Sequence, residues 1–157
     1  VTARLACAAL ALVGAGLVPA PTRGQAAAPA APAVGSAADP SGCPARLTSP
    51  PTRRLAGPGV DVAWRAVPDP PPVGKAFGIE FEVCPRQAGA AVDRLRVDAW
   101  MPEHRHGMNY QPSVSGQPSQ VQRGDGLLFH MPGRWQVVFE FRLAGEPVRL
   151  VDDLVVR

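Results

Sequence analysis

The chain is poor in the residues that most often carry chemistry. Its 157 residues hold three histidines, three cysteines, three methionines and one tyrosine, and only 6% of positions are aromatic. No basic run is interleaved with aromatic residues, so nucleic-acid binding has no support. Ser113, Ser115 and Ser119 sit in no nucleophile-elbow context, which argues against a hydrolase, and the chain is read as a non-enzyme. No segment sustains a hydrophobic period of 3.6, and no internal repeat is visible.

The N-terminus has a recognisable build. Val1 to Arg4 is short and basic, Leu5 to Val18 is apolar, and the small residues Gly24-Gln25-Ala26 follow. This pattern predicts a secretory signal peptide over 1–26, cut near Ala26. A membrane anchor is the other reading, but about 14 apolar residues fall short of the roughly 20 that a span needs. Cys7 precedes most of the apolar run, is not placed as a lipobox cysteine, and should leave with the signal. Residues 27–41 are nearly all Ala, Pro, Gly and Ser, which predicts a flexible or extended linker. The folded domain is expected over 42–157. The expected location is periplasmic or secreted, with no membrane span in the mature chain. The formal net charge of +3 includes Arg4 and Arg23, so the mature chain is near neutral.

Loss of Cys7 leaves Cys43 and Cys84, an even pair in an exported chain, for which a disulfide is the default. The alternative is thiolate ligation of a metal, although neither cysteine lies near the histidines in sequence.

Beyond residue 42 the pattern is β. Val60, Val62, Trp64 and Ala66 alternate with Asp61, Ala63 and Arg65. Phe77, Ile79, Phe81 and Val83 alternate with Gly78, Glu80 and Glu82. Leu95, Val97 and Ala99 form a third series, Leu127 to Phe129 a short apolar run, and Trp135, Val137, Phe139, Phe141 and Leu143 a further series. Leu154 to Val156 closes the chain. Period-two alternation with glycine and proline between runs indicates antiparallel strands buried on one face. The fold class is therefore all-β: an immunoglobulin-like antiparallel β-sandwich of about seven strands. Phe77, Ile79, Phe81, Val97, Trp135, Val137 and Phe139 should share one core. A one-residue slip reverses a strand's faces, so Phe139 and Phe141 should be far more buried than Glu140 and Arg142.

The scarce histidines and methionines are gathered in two places. Met101, His104, His106 and Met108 fall within eight residues, and His130-Met131 are adjacent. In a strand, alternate side chains share a face roughly 6.5–7 Å apart, so His104-Arg105-His106 can direct two imidazoles at one ion. Imidazole suits copper, zinc and nickel, and thioether sulfur suits copper(I), so a copper site is the leading reading. His104 and His106 come first as ligands, then Met108 and His130. Met101 and Met131 are metal candidates that equally suit core packing, because each adjoins an apolar strand. The bland alternative for His104 and His106 is a pair of solvated loop histidines. Tyr110 and Trp100 are expected to line the site or to pack, and Asp98 is a candidate partner for an imidazole N–H. A blue-copper centre would require a cysteine beside the histidines, and none is there.

Asp98 to Pro112, with Met101-Pro102-Glu103-His104-Arg105-His106-Gly107-Met108 at its centre, resembles the signature of YtkA-like domains, which are similar to FixH-like proteins. Gly126 to Trp135 resembles the second block of that family, and the resemblance spans about Val60 to Val156. It implies an exported β-sandwich associated with copper handling and respiratory-oxidase maturation. The implied cofactor is copper, as Cu(I) or Cu(II), and the implied partner is a client protein in copper-enzyme assembly. The runner-up function is a metal-free sandwich that docks onto a membrane or envelope complex.

Overall fold

The computed structural model describes Cys43, Arg46, Leu47 and residues 52–157. The expected signal peptide and linker lie outside the described residues. The described residues contain nine strands and no helix: β1 (Arg53–Gly57), β2 (Val60–Val67), β3 (Ala76–Pro85), β4 (Val92–Met101), β5 (His106–Gly107), β6 (Ser113–Ser115), β7 (Gln122–Leu128), β8 (Gly133–Leu143) and β9 (Glu146–Val156). No helix among them is long and apolar enough to cross a membrane.

The strands form two sheets, one in the order β1-β2-β3-β7-β6 and the other in the order β5-β4-β8-β9. All strand pairings are antiparallel. The two inner faces share one apolar core, so the architecture is a β-sandwich. Its nine strands exceed the expected number of about seven. β1, β5 and β6, which the apolar alternation of the sequence does not mark, are edge strands of two to five residues.

The core follows the alternation in the sequence. Val60, Val62, Trp64, Phe77, Ile79 and Phe81 face inward from one sheet, and Val97, Trp135, Val137 and Phe139 from the other. The Phe139 ring lies 6.1 Å from Trp64 and 5.5 Å from Phe81 across the gap. Phe139 is 0% exposed and Phe141 3%, whereas Arg142 is exposed and Glu140 half-buried. Each Val, Ile or Phe among them contributes about 1.5–3 kcal/mol by leaving water.

Two strands depart from simple alternation for local reasons. In β4 a bulge between Asp93 and Arg96, with Arg94 at φ 53°, shifts the register against β8. The extra residue lets both Val92 and Leu95 pack against the core, although their odd spacing would put them on opposite faces of a regular strand. In β9, Leu150, Asp152, Leu154 and Val156 fall on one face, and Asp152 interrupts the apolar series. Its carboxylate accepts the Trp64 indole N–H at 2.9 Å and the Arg53 guanidinium at 2.6 and 2.9 Å. This bonds β9 of one sheet to β1 and β2 of the other along one side of the sandwich.

The outer face of β2 and β3 is not solvated as the alternation suggests. Ala63 is buried beneath Cys43, Leu47 and Cys84. Cys43 and Cys84 form a disulfide with Cα atoms 5.1 Å apart, which ties the segment before β1 to β3. The bond removes the thiolate alternative for these cysteines. Asp61 is buried too and accepts the Arg86 guanidinium at 2.7 and 3.0 Å. Glu82 is 3% exposed at its side chain, with Oε1 3.1 Å from the Arg46 guanidinium and Oε2 buried without a hydrogen-bond partner. Burial raises its pKa above the ordinary carboxyl value, against the lowering effect of Arg46 and Arg54.

Two stability measurements follow from this covered face. The disulfide closes a loop of 41 residues, for which the chain-entropy model gives ~4 kcal/mol. Denaturant melts with and without reductant should differ by roughly that amount, and coincident curves would show that the segment adds nothing. For Glu82 the raised folded pKa means that stability is greatest below the unfolded carboxyl pKa, about 4.3, and falls as pH rises through the folded value. Glu82→Gln should therefore gain stability relative to the unaltered protein as pH rises from 4 to 7. A difference between the two that is independent of pH would contradict the buried, raised carboxyl.

Candidate metal centre

The site grows from one short hairpin. β4 ends at Met101, Pro102 begins a four-residue turn, and β5 returns beside it with Met101 paired to His106 and Trp100 to Gly107. Two turn hydrogen bonds close the corner, from His104 N to Met101 O at 3.2 Å and from Arg105 N to Pro102 O at 3.3 Å. Arg105 takes the left-handed φ of 55° that reverses the chain. Directly opposite residues share a face, so His106 points inward beside the buried Met101, and Gly107 lies on the outer face with Trp100. His104 belongs to the turn and stays exposed. The two histidines therefore do not alternate along one strand, although their ring centroids are 5.7 Å apart.

Gly107 has a steric reason. A Cβ there would stand 2.9 Å from the Ala99 carbonyl oxygen and 3.3 Å from the Trp100 ring. Only glycine lets β5 come close enough to place His106 and then Met108, whose N–H donates to Ala99 O at 3.3 Å.

The second half of the site comes from the other sheet. His130 follows the last residues of β7, and its ring centroid lies 4.8 Å from that of His106. Both rings lie against the fully buried Trp135, with centroids at 5.1 Å for His130 and 6.1 Å for His106. A cavity of about 360 Å³ is lined by His106, Gly107, Met108, Asn109, Tyr110, Leu128 and His130. His104 is not among its walls.

The methionines divide by position. Met108 is half-buried in the cavity wall, and its Sδ accepts the Leu128 N–H at 3.2 Å, which fixes the thioether between the two sheets. Met101 is 1% exposed and packs in the core. Met131 is half-buried against the core, and its carbonyl accepts the Trp135 indole N–H at 3.0 Å. Asp98 accepts the adjacent Ala99 N–H at 2.7 Å. Tyr110 lines the cavity, whereas Trp100 lies on the opposite side of β5. Alternation places Trp135 in the core and does not reveal that His106 and His130 lie against it. Its strand starts three residues after His130, which placed it close in sequence but gave no sign of its position beneath His106.

The donor set fits a soft or borderline ion. A ligating imidazole nitrogen stands about 2.0–2.1 Å from a metal such as zinc, which puts the centroids of two rings on one ion roughly 4.5–6 Å apart. The separations of 4.8 and 5.7 Å fall in that range. The buried Nδ1 of His106 has no hydrogen-bond partner, so it is a polar atom with its bonding capacity unused. No carboxylate lines the cavity, which argues against calcium or magnesium. Among the described residues, no three His, Cys, Asp or Glu side chains are arranged to hold a metal ion together. The donor group on the cavity is thus two imidazoles and one thioether rather than three nitrogen or oxygen ligands.

No protein-family model matches the chain, and neither a curated protein nor a solved structure matches it.

The hairpin yields a specific expectation. Gly107→Ala should push β5 away from β4 while leaving the core intact. Amide hydrogen exchange should quicken at Met108 and Leu128 and stay slow at Val97 and Phe139. Unaltered exchange at Met108 would show that the close approach of β5 is not what holds the site.

Proposed function

We propose that the protein is an exported copper-binding protein that buffers or delivers copper, with the ion held by His106, His130 and Met108. The observation that carries this reading is the meeting of those three side chains, from both sheets, on one cavity free of carboxylates. The resemblance of the Met101 to Met108 motif to YtkA-like domains supports the same reading and extends it to respiratory-oxidase maturation. The signal-like N-terminus supports export.

The roles of the residues follow from their donors. His106 and His130 supply borderline nitrogen that suits either oxidation state, and Met108 supplies soft sulfur that favours copper(I). Trp135 holds both imidazoles from below and keeps water out on that side. The bond from Leu128 N–H holds Met108 Sδ at the cavity wall. Bound copper would serve as cargo for a client protein. Met101 and Met131 contribute packing around the site in this reading.

One observation favours a metal-free interaction module instead. No trio of His, Cys, Asp and Glu closes on an ion among the described residues, and the exposed Trp100 and Tyr110 flank the hairpin as docking aromatics would.

Titration with copper(I) and copper(II) under chelator competition separates the two readings. Changing both His106 and His130 to Ala should abolish tight binding while circular dichroism retains the β signature. Met108→Leu should weaken copper(I) more than copper(II), since it keeps bulk and removes sulfur. Ligating imidazoles must be neutral, so binding should weaken in acid. Equal affinity in the double histidine variant would remove the copper assignment and leave the interaction module.

A further inference from the structure

We infer that His104 is an exchange ligand, a station at the rim through which copper reaches and leaves the inner His106, His130 and Met108 group. The inference rests on the copper reading above.

Three observations carry it. His106 neighbours both other imidazoles: its ring centroid is 5.7 Å from that of His104 and 4.8 Å from that of His130. No three such groups close on one ion, so His104 does not complete the inner set. His106 is therefore common to two pairs, one outer and one inner. The second observation is place. His104 and His130 are both exposed, but His104 lies outside the cavity walls, whereas His130 and the half-buried His106 form part of them. The third is the backbone. His104 sits within a four-residue turn ahead of the left-handed Arg105, off the β ladder. Its side chain meets an approaching donor group without disturbing the β4–β5 pairing.

A shared ligand gives a low-barrier route. His104 offers a nitrogen to incoming copper while the carrier's donor still holds it, and His106 takes hold next. His130 and Met108 then displace His104 and the carrier's last donor in turn, completing the inner group. At each exchange one donor bond forms and one breaks, no electron is transferred, and the oxidation state of the ion is unchanged. Unloading follows the same order in reverse, toward a partner with soft nitrogen or sulfur donors. The motif His104-Arg105-His106 thus serves passage, with its two histidines in different roles.

A residue on the route and outside the end state changes both rates and spares the equilibrium. Loss of a resident ligand acts mostly on the off-rate, so a matched slowing in both directions is diagnostic. Stopped-flow transfer of copper(I) from, and back to, the chromophoric chelator bicinchoninate tests this with the full-length protein. His104→Ala should slow loading and unloading together by about tenfold and keep affinity within about threefold. His104→Met should restore much of the rate, because thioether is also a copper(I) donor. His106→Ala should instead lose affinity. Unchanged rates in His104→Ala would overturn the inference. A loss of affinity equal to that of His106→Ala would do so as well, since His104 would then be a resident ligand. An unaltered protein that takes up no copper would overturn both this inference and the copper reading, so the two failures are distinguishable.

Discussion

The burial of Trp135 is the constraint on which both core and site depend. The indole is 0% exposed and stacks against Phe129 with centroids 4.9 Å apart, joining the two sheets at one end of the sandwich. Its N–H is satisfied by the Met131 carbonyl, so a polar atom is buried without penalty. An aromatic side chain of this kind removes about 150–250 Å² from water, worth about 4–6 kcal/mol at the usual area coefficient. The same ring forms the floor beneath His106 and His130. A core residue therefore underlies the place where His106 and His130 meet. His106 stands on the edge strand β5 and Leu128 ends β7, whereas Met108 and His130 lie just beyond those strands.

The strands with unbroken alternation were legible from sequence. β3 and β8 carry the longest period-two series, and the structure buries Phe77, Ile79 and Phe81 on the inner face of one sheet and Phe139 and Phe141 on that of the other. β9 was legible only at Leu154 to Val156, because Asp152 stands where an apolar residue would continue the pattern. That carboxylate is used by Trp64 and Arg53, partners nearly 90 to 100 positions away that no local window contains. The outer face of β2 and β3 is illegible in the sequence for a related reason. Ala63, Asp61 and Glu82 alternate as solvated residues do, and a disulfide-anchored segment covers them. The cysteine count indicated the bond but not the surface that it shields.

The site was legible in composition and less so in geometry. Gathering of His and Met identified the region. The pairing of Met101 with His106 then decided which imidazole turns inward, and that depends on the length of the Pro102 to Arg105 turn. His104 and His106 look equivalent in sequence, yet one is a turn residue and the other an edge-strand residue. The approach of His130 to His106 required the end of β7 to meet β5 across the two sheets, a relation that sequence could only assume. The steric reason for Gly107 is a close approach to the Ala99 carbonyl on the neighbouring strand, which leaves no local pattern in the sequence.

X-ray absorption at the copper K-edge of the copper(I)-loaded protein tests the central claim most directly. The account predicts nitrogen scattering with the outer-shell pattern of about two imidazoles, together with one sulfur that disappears in Met108→Leu. A spectrum with nitrogen and oxygen scatterers alone, or with sulfur that persists in Met108→Leu, would contradict the assignment of copper to His106, His130 and Met108.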